Sequence, residues 1–499
     1  METSRIGSIF VCVAISLTGC SSDSPDHPDG GGSGSCTPSD YNWASSGGGP
    51  GQGDGVTGAA LAPDGSVWVT GTFIGSATWG TTQLTAADTV HPSIFVAKLD
   101  PDGHVVLARA LQGGTGGIDN IDNAGTRIRL DATGNPVVVG KFQAQLDVDS
   151  VHLDASPNSV DNGDAFVIGL DGATGTAKFG AQSIGNTNGV AANDVAVDSH
   201  GDVYVTGGYN GTVAFGAITG AGTSSDQGVF VAKYSPASHA WEWAKGWAGQ
   251  VDGTNDGGVG YGIAVTGDGN VFVTGSISGT LNVDGTVLNA DGGSFVAKLG
   301  AADGHVAWTA QIAPTDPTDR DWTSAAAVDT AGAVYITGKF AQTAMFGAAT
   351  AVAPHAVTST GGGNDMFLAK YDAAGAPVWV QHAGVADNVV TRGDDLAFDG
   401  ESLYVGGFTQ GDAIFGTKTL PISSTLFVAK YDTAGAVKWV QNATLQTTDA
   451  TTAETAAVSM RSPTSGVVIG GFFDAKTAFG ATTLTGAGED DAFVADLCN

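Results

Sequence analysis

Short apolar runs alternate with turn residues along the chain, and two of these runs recur. The first has the form VYVTG and begins at Val67, Val203, Val271, Val334, Leu403 and Val467. Both alternating faces of this run are apolar, so a strand formed by it must be covered on both faces. Glycine-bearing turns such as Asp64 and Gly65 precede it, as is typical of tight connections between strands. The pattern predicts short strands packed between neighbouring sheets.

The second run, FVAK or a close variant, occurs seven times. Its phenylalanines are Phe95, Phe166, Phe230, Phe295, Phe367, Phe427 and Phe493, spaced 60 to 72 residues apart. A period of this size indicates one supersecondary unit that is repeated. In the fifth copy, β-prone runs begin at Ala325, Val334, Met366 and Pro377, which predicts strands A to D of one unit. We therefore predict an all-β, seven-bladed β-propeller with four-stranded antiparallel blades.

The seventh copy ends after AFVADLCN and has no strand D of its own. The segment YNWASSGGG from Tyr41 has the strand-D pattern, with Trp43 in the place of Trp379 and Trp439. We predict that this N-terminal strand completes the last blade, which would remove an exposed sheet edge. The predicted divisions are a signal at 1–19, a tether at 20–40 and a propeller at 41–499, with blades at about 55–112, 124–185, 190–249, 260–313, 323–385, 394–446 and 454–498 plus 41–47.

The order of these words, VYVTG, an aromatic residue with glycine, then DxFVAKYD, glycine and tryptophan, resembles the SBBP-type bacterial β-propeller repeat. That repeat is found in exported and surface proteins, including myxobacterial lipoproteins. The resemblance runs from about residue 41 to the end of the chain. It implies a propeller and brings no shared catalytic residues with it.

The first twenty residues contain Arg5, an apolar run from Ile6 to Leu17 and the ending LTGC. The run is too short to span a membrane and indicates a secretion signal. The ending resembles the lipobox of bacterial lipoproteins, which implies cleavage before Cys20, a lipid such as palmitate on that cysteine, and a place at the outer membrane or cell surface of a Gram-negative bacterium. Residues 21–35, SSDSPDHPDGGGSGS, predict a flexible tether.

Four cysteines are present, and two of them remain once the signal (Cys12) and the lipid site (Cys20) are set aside. These two, Cys36 and Cys498, stand at opposite ends of the predicted propeller. Because an exported protein meets an oxidising compartment, we expect a disulfide between them that fastens the seam of the ring. Two unrelated thiols are the alternative.

The formal charge of −31, with 19 Lys and Arg, excludes a nucleic-acid partner, since phosphate binding needs clustered cations. Aspartates concentrate in the predicted D–A loops, on what we call the top face. Asp316, Asp319 and Asp321 form the densest group, and such carboxylates suit calcium, the one cofactor that we consider. Capping of turns by aspartate is the alternative.

Two further recurrences have predicted structural roles. Lysines at one strand-C position (Lys98, Lys233, Lys298, Lys370 and Lys430) should form ion pairs with bottom-face aspartates (Asp131, Asp198, Asp329 and Asp399). An aromatic residue and a glycine after strand B, such as Trp79 and Gly80, should plug the core beneath a long B–C connection; Leu146 and Asp147 stand there in the second copy.

No catalytic triad or zinc signature emerges from the sequence. We predict a lipid-anchored, monomeric, non-enzymatic module that binds a glycan or an envelope protein through its top-face loops. The alternative is a propeller enzyme, a hydrolase or a quinoprotein-like protein, with its site in the same loops. A convergent His, Glu or Arg cluster at the axial channel would favour the enzyme.

Overall fold

The computed structural model describes residues 40–50, 53–86, 91–113, 123–156, 163–185, 189–249, 257–316, 321–347, 355–387, 389–421, 425–445, 453–460, 466–473, 476–488 and 490–498. They belong to one compact unit, Cys36–Asn499. All regular structure in these residues is β-strand. Within these ranges, no helix has the length and apolarity needed to cross a bilayer.

The strands follow one another closely along the chain. The first twenty-one are β1 (Tyr41–Gly48), β2 (Gly55–Leu61), β3 (Val67–Ile74), β4 (Ser76–Trp79), β5 (Thr82–Thr85), β6 (Pro92–Leu99), β7 (Val105–Gly113), β8 (Ala124–Leu130), β9 (Pro136–Phe142), β10 (Gln145–Val148), β11 (Val151–Asp154), β12 (Asp164–Leu170), β13 (Ala177–Gly185), β14 (Val190–Val197), β15 (Val203–Phe215), β16 (Ile218–Ser235), β17 (Ala240–Ala248), β18 (Gly257–Val265), β19 (Val271–Ser278), β20 (Thr280–Val283) and β21 (Thr286–Asn289). The others are β22 (Ser294–Leu299), β23 (Val306–Pro314), β24 (Trp322–Val328), β25 (Val334–Ala341), β26 (Thr343–Phe346), β27 (His355–Thr358), β28 (Asn364–Tyr371), β29 (Pro377–Gly384), β30 (Thr391–Phe398), β31 (Ser402–Thr409), β32 (Ala413–Phe415), β33 (Lys418–Leu420), β34 (Leu426–Asp432), β35 (Val437–Gln441), β36 (Thr444–Leu445), β37 (Ala453–Met460), β38 (Val467–Phe473), β39 (Lys476–Phe479), β40 (Thr482–Thr485) and β41 (Asp491–Leu497).

Antiparallel pairing joins most of these strands into four-stranded sets, which we call blades, with strands A to D from the axis outward. In the described residues the sets are β2-β3-β6-β7 (blade 1), β8-β9-β12-β13 (blade 2), β14-β15-β16-β17 (blade 3), β18-β19-β22-β23 (blade 4), β24-β25-β28-β29 (blade 5), β30-β31-β34-β35 (blade 6) and β37-β38-β41-β1 (blade 7). The strand A of each blade contacts that of the next, and β37 contacts β2. This closed ring confirms the all-β propeller class.

The N-terminal strand closes the ring as predicted. Strand β1 is strand D of blade 7 and pairs with β41, with Trp43 opposite Asp496. The equivalent pairs in blades 5 and 6 are Lys370 with Trp379 and Lys430 with Trp439. The ring therefore ends where the chain begins.

The VTG and FVAK words hold each other in place inside a blade. The threonine hydroxyl donates to the carbonyl of the FVAK phenylalanine, as from Thr206 Oγ1 to Phe230 O at 2.8 Å. The same bond occurs from Thr70, Thr274 and Thr337. The glycine that follows has no room for a side chain, since a Cβ on Gly207 would lie 1.9 Å from Ala191 O of strand A. The threonine and glycine of the VTG motif are therefore required by the close packing of neighbouring backbones.

The long B–C connection is a β-hairpin that pairs with strand D of the preceding blade. This pairing was not predicted from the sequence. The hairpins and their partners are β4-β5 on β1, β10-β11 on β7, the β15-β16 ends on β13, β20-β21 on β17, β26-β27 on β23, β32-β33 on β29 and β39-β40 on β36. Each hairpin covers an edge that would otherwise expose unpaired backbone groups.

In five of the seven hairpins, the first strand ends in an aromatic residue that packs under the hairpin: Trp79, Phe215, Phe346, Phe415 and Phe479. Trp79 is buried, and its ring centroid lies 4.9 Å from that of Phe95. In blade 2 the predicted pair, Leu146 and Asp147, is wrong by two residues: Val148 ends the first hairpin strand and Asp149 takes the left-handed turn position at φ 53°. Asp149 accepts two hydrogen bonds from Arg109 of blade 1, at 2.6 and 3.1 Å, so the aspartate also ties two blades together.

The strand-D tryptophan makes a second link between blades. Trp243 Nε1 of blade 3 donates to Ala301 O, in the C–D turn of blade 4, at 2.9 Å. A Cβ on Gly304 of that turn would lie 2.7 Å from the ring, which explains the turn glycine. Trp43, Trp308 and Trp379 make the same bond to the blade that follows.

The strand-C lysines differ from the prediction. Each lies over the aromatic ring opposite it on strand B; Lys370 Nζ is 4.9 Å from the Tyr335 centroid, and Lys98, Lys233, Lys298 and Lys430 repeat the arrangement. Lys370 also lies 4.0 Å from Asp329, but Lys233 pairs with Asp202 and Glu242 instead of Asp198. The bottom-face aspartates cap their own turns, as Asp329 does by accepting the N–H groups of Ala331 and Ala333. Cation–π contact with the strand-B ring is therefore common to the five lysines, and the predicted pairing with a bottom-face aspartate is seen at Lys370.

Candidate functional site

Every inner strand carries a β-bulge at one register, and the bulged side chain reaches the next blade. The bulge is a shift in the A–B pairing, as between Val56 and Gly58 in blade 1. Thr57 Oγ1 at this bulge donates to Gly125 O of blade 2 at 2.5 Å. Equivalent bonds join Thr126 to Ala192, Asn193 to Gly260 and Ser324 to Gly393. The bulges therefore fix both the ring and the residues that follow them.

The residue after the bulge differs between blades. It is Gly58, Gly262 or Ala325 in blades 1, 4 and 5. Blades 2, 3 and 6 carry Arg127, Asp194 and Asp395 at this register. Arg127 Nε lies 3.8 Å from Asp194 Oδ1, and its Nη2 lies 3.9 Å from Asp395 Oδ1. Because blades 2 and 6 are not neighbours, the second contact crosses the central channel.

This axial cluster is buried, and its charged groups act on one another. The exposed fractions of the side chains are 13% for Arg127, 3% for Asp194 and 1% for Asp395. Burial alone would lower the pKa of Arg127, but the charges of Asp395, Asp194 and Asp394 outweigh it and raise that pKa. Burial also raises the pKa of Asp194, against the effect of Arg129 and Arg127. Both carboxylates also accept backbone hydrogen bonds: Asp194 Oδ2 from Ile263 N at 2.9 Å, and Asp395 Oδ1 from Leu396 N at 2.9 Å.

A polar groove of about 380 Å³ lies on the top face between blades 2, 3 and 4. Its polar lining consists of Lys141, Asn193, Tyr209, Asn210, Gln227 and Tyr261. No carboxylate or histidine is among the described residues that line it. The groove can therefore offer amide, phenol and ammonium groups to a ligand, but these residues bring no acid–base pair.

Aromatic and cationic side chains continue from this groove toward blade 5. The rings of Tyr261 and Trp322 meet edge to face with centroids 5.3 Å apart. Lys339 Nζ lies 6.0 Å from the Trp322 centroid, and burial together with Arg392 lowers the pKa of this lysine. The top face near the axis therefore brings aromatic and cationic side chains beside Asp321 and Asp394.

The predicted calcium ligands are not brought together by the residues that the structure describes. Asp319 lies outside them. Asp321 is buried, and its Oδ1 accepts from Ala341 N at 3.2 Å, as Asp54 does from Ile74 N in blade 1. Asp316 is half-buried. Asp321 thus caps a strand, and calcium binding by the three aspartates stays a prediction.

One group in the described ranges has the spacing of metal ligands: Asp100, Asp102 and His104, in the C–D turn of blade 1. Asp100 Oδ1 there accepts the N–H groups of Asp102 and His104 at 3.0 and 2.9 Å. Asp372 and Asp432 hold their C–D turns in the same way. This group is the ordinary turn cap of the repeat.

Among the predicted cysteine sites, Cys498 is disulfide-bonded. Cys20 and Cys36 lie outside the described residues, so the lipid site and the Cys36–Cys498 pairing stay predictions. The backbone shows what such a bond would fasten: Cys498 N donates to Asp40 O at 2.7 Å, where β1 meets β41.

Replacing Arg127 with Ala should lower the free energy of unfolding by about 3–5 kcal/mol, because it removes the cation that faces buried Asp395 across the channel and leaves Asp194 with Arg129. The loss should be greatest above neutral pH. Burial already raises the pKa of Asp194; without Arg127 that pKa rises further in the fold, and stability falls as pH rises through it. Urea denaturation measures this loss.

The matched control is Arg109→Ala, which removes a partly exposed pair and should cost about 1 kcal/mol or less. The double variant R127A/D395N should recover part of the stability. Equal losses for Arg127→Ala and Arg109→Ala would contradict the role of the axial cluster.

No family model matches this chain, and no curated protein matches it; membership of the SBBP family stays a prediction. Solved structures with a similar fold include quinohemoprotein alcohol dehydrogenase from Comamonas testosteroni, at 11% identity over 91% of this chain and 76% of that chain, with a TM-score of 0.44. A polysaccharide lyase, an ulvan lyase, is 12% identical over 91% of this chain and 97% of that chain, with a TM-score of 0.40. The Dos1 propeller is 10% identical over 79% of this chain and 95% of that chain, with a TM-score of 0.33. These neighbours are β-propeller proteins and include enzymes, but likeness at this level is one of fold and carries no argument about activity.

Proposed function

We propose that this chain is a lipid-anchored surface protein that binds a glycan in the top-face groove. The observation that carries the proposal is the composition of that groove, where the amides of Asn193, Asn210 and Gln227 stand beside the ring of Tyr261. Sugars offer hydroxyl groups and apolar C–H faces. Amides hydrogen-bond the former, and an aromatic ring packs against the latter.

A binding role is favoured over a catalytic one. Glycoside hydrolysis generally uses a pair of carboxyl groups beside the scissile bond, and the described lining of the groove contains none. The axial cluster does converge on the channel, but Arg127 is held by Asp194 and Asp395. A hydrolase or quinoprotein-like activity is therefore the weaker candidate.

The strand directions support a top face that points away from an anchor. Strand β1 begins at Tyr41, opposite Leu497, on the bottom face where strands C end. A tether that runs from Cys20 to Tyr41 would join the propeller on that face. The groove opens on the other side of the ring, where an external glycan can reach it.

The groove predicts specific losses of glycan binding. Tyr261→Ala should weaken binding at least about tenfold, because it removes the central aromatic contact, and Gln227→Ala should weaken it less. Gln83→Ala is the matched control for Gln227, since both glutamines are exposed and Gln83 lies on an outer hairpin. The measurement is a glycan array followed by calorimetry with the bound sugar, which should be recovered unchanged.

Binding that survives both groove substitutions would contradict the site, and release of shortened sugars would contradict the binding role. If the folded protein bound no glycan on the array, the proposed glycan-binding function would be wrong.

The anchor has its own test. In a Gram-negative host, Cys20→Ser should abolish incorporation of a palmitate analogue and move the protein from the membrane fraction to the soluble one. Cys12→Ser, a change within the proposed signal, should leave both unchanged. A Cys20→Ser protein that stays labelled and membrane-bound would show that the lipid is elsewhere or that another contact holds the protein.

A further inference from the structure

The strand-B residue that follows the VTG glycine lies near the top face and differs between blades. It pairs with a residue close to the start of strand A, as Thr72 does with Gly55 in blade 1. Blades 2 and 5 carry a lysine at this register, Lys141 and Lys339. The residues in blades 3, 4, 6 and 7 are Gly208, Ser276, Phe408 and Phe472.

The two small residues at this register leave room for the top-face groove. Gly208 and Ser276 belong to blades 3 and 4, which lie between the two lysine-bearing blades. Gly208 lines the groove, and a Cβ on it would lie 3.3 Å from Val259 Cγ1, which belongs to another lining residue. A larger side chain in blade 3 would therefore fill space that the groove now offers to a ligand.

A lysine stands on each side of this space. Lys141 of blade 2 is one of the residues that line the groove. On the opposite side, the lining residue Tyr261 contacts Trp322, and Lys339 Nζ lies 6.0 Å from the centroid of the Trp322 ring. Amides and aromatic rings are therefore flanked by ammonium groups from both directions.

The ammonium group of Lys339 keeps donors for a ligand. The side chain is partly buried, and its Nζ makes no hydrogen bond or ion pair with the residues that the structure describes. An ammonium group has three N–H donors. A cation that is partly removed from water gains stability when an anion accepts hydrogen bonds from it.

The charges around Lys339 do not take the place of such an anion. Burial, the largest effect, and the charge of Arg392 lower the pKa of Lys339. The charges of Asp321 and Asp394 act in the other direction without outweighing that lowering. Asp394 Oδ1 accepts from Arg392 Nε at 2.8 Å. Asp321 Oδ1 accepts from Ala341 N at 3.2 Å, so both carboxylates are held by other donors.

We propose that the glycan of the top-face groove is acidic, and that Lys141 and Lys339 bind its carboxylate or sulfate groups. This inference rests on the proposed glycan-binding function and names the class of sugar. The formal charge of −31 repels an acidic glycan at long range, but salt screens that repulsion beyond about 8 Å at physiological ionic strength. Selection of the acidic sugar therefore comes from contacts inside the groove.

The first test compares one sugar with and without its charge. On an array of neutral, uronate-bearing and sulfated oligosaccharides, the purified protein should give its strongest signals with acidic members. Calorimetry then compares the tightest acidic member with the same oligosaccharide after its carboxylates are reduced to alcohols or its sulfates are removed. The acidic form should bind at least about tenfold more tightly, as expected for a charge-assisted hydrogen bond.

The array separates this inference from the function on which it rests. Binding of neutral glycans alone, with loss on Tyr261→Ala, would overturn the acidic class and leave the glycan-binding function in place. Binding of no glycan would overturn both.

Substitution of the lysines is the second test. Lys339→Met removes the charge and keeps a side chain of similar length, so it should weaken the acidic form about tenfold and change the neutralised form by less than about twofold. Lys141→Met should act in the same direction. Lys298→Met is the matched control, because Lys298 is also partly buried, with its Nζ 5.5 Å from the centroid of the Phe272 ring, but lies on strand C.

Thermal unfolding verifies the fold of each variant, and Lys141→Met carries the test if Lys339→Met does not fold. An equal loss with Lys298→Met would mean that only net charge matters and would overturn the proposal. Unchanged binding of the acidic form by the folded lysine variants would overturn it as well.

Discussion

Each blade of this propeller is completed by its neighbour, and the rest of the structure depends on that exchange. A hairpin from each blade covers the outer edge of the blade before it, as β20 and β21 do on β17. Near the bottom face, tryptophans such as Trp243 donate into the next blade. At the axis, bulge residues such as Thr57 do the same. A single blade would expose unpaired backbone at its edge and an apolar face on each side.

This exchange explains why the ring must close and why closure uses the first strand of the propeller. Without β1, blade 7 would lack strand D, and the hairpin β4-β5 would lose the strand that it covers. The Cys498 disulfide and the bond from Cys498 N to Asp40 O lie at this seam. The Arg127–Asp395 contact adds a brace across the channel. Interactions between blades therefore add to those within them in holding the ring together.

The sequence predicted what is common to the copies and missed what passes between them. The repeated apolar motifs predicted the blades, and Trp43 predicted that the first strand closes the ring. Both predictions were possible because a repeated strand pattern can be recognised in the sequence alone. The strand with which a hairpin pairs cannot be read from the sequence in this way. The β4-β5 pattern is the same whether the hairpin pairs within its own blade or with the preceding blade. Lysines also suggested ion pairs, although the rings opposite them on strand B decide their position.

The candidate sites were harder to predict for the same reason. Acidic loops drew attention to Asp316, Asp319 and Asp321, but Asp321 caps a strand. The informative signal was the TRIRL segment, the copy of strand A that contains arginines. Its meaning depends on the ring, because Arg127 meets Asp194 and Asp395 only when three separate blades share one axis.

Native-state hydrogen exchange of Trp43→Ala, followed peptide by peptide, tests most directly whether the ring is one interlocked unit. A buried tryptophan replaced by alanine costs about 3–5 kcal/mol. If the ring is one interlocked unit, protection of the most stable strands falls by a similar amount around the whole ring, including β22 and β28, which lie far from the seam. Loss of protection confined to β1, β41 and blade 1 would contradict it and would describe a stack of independent blades.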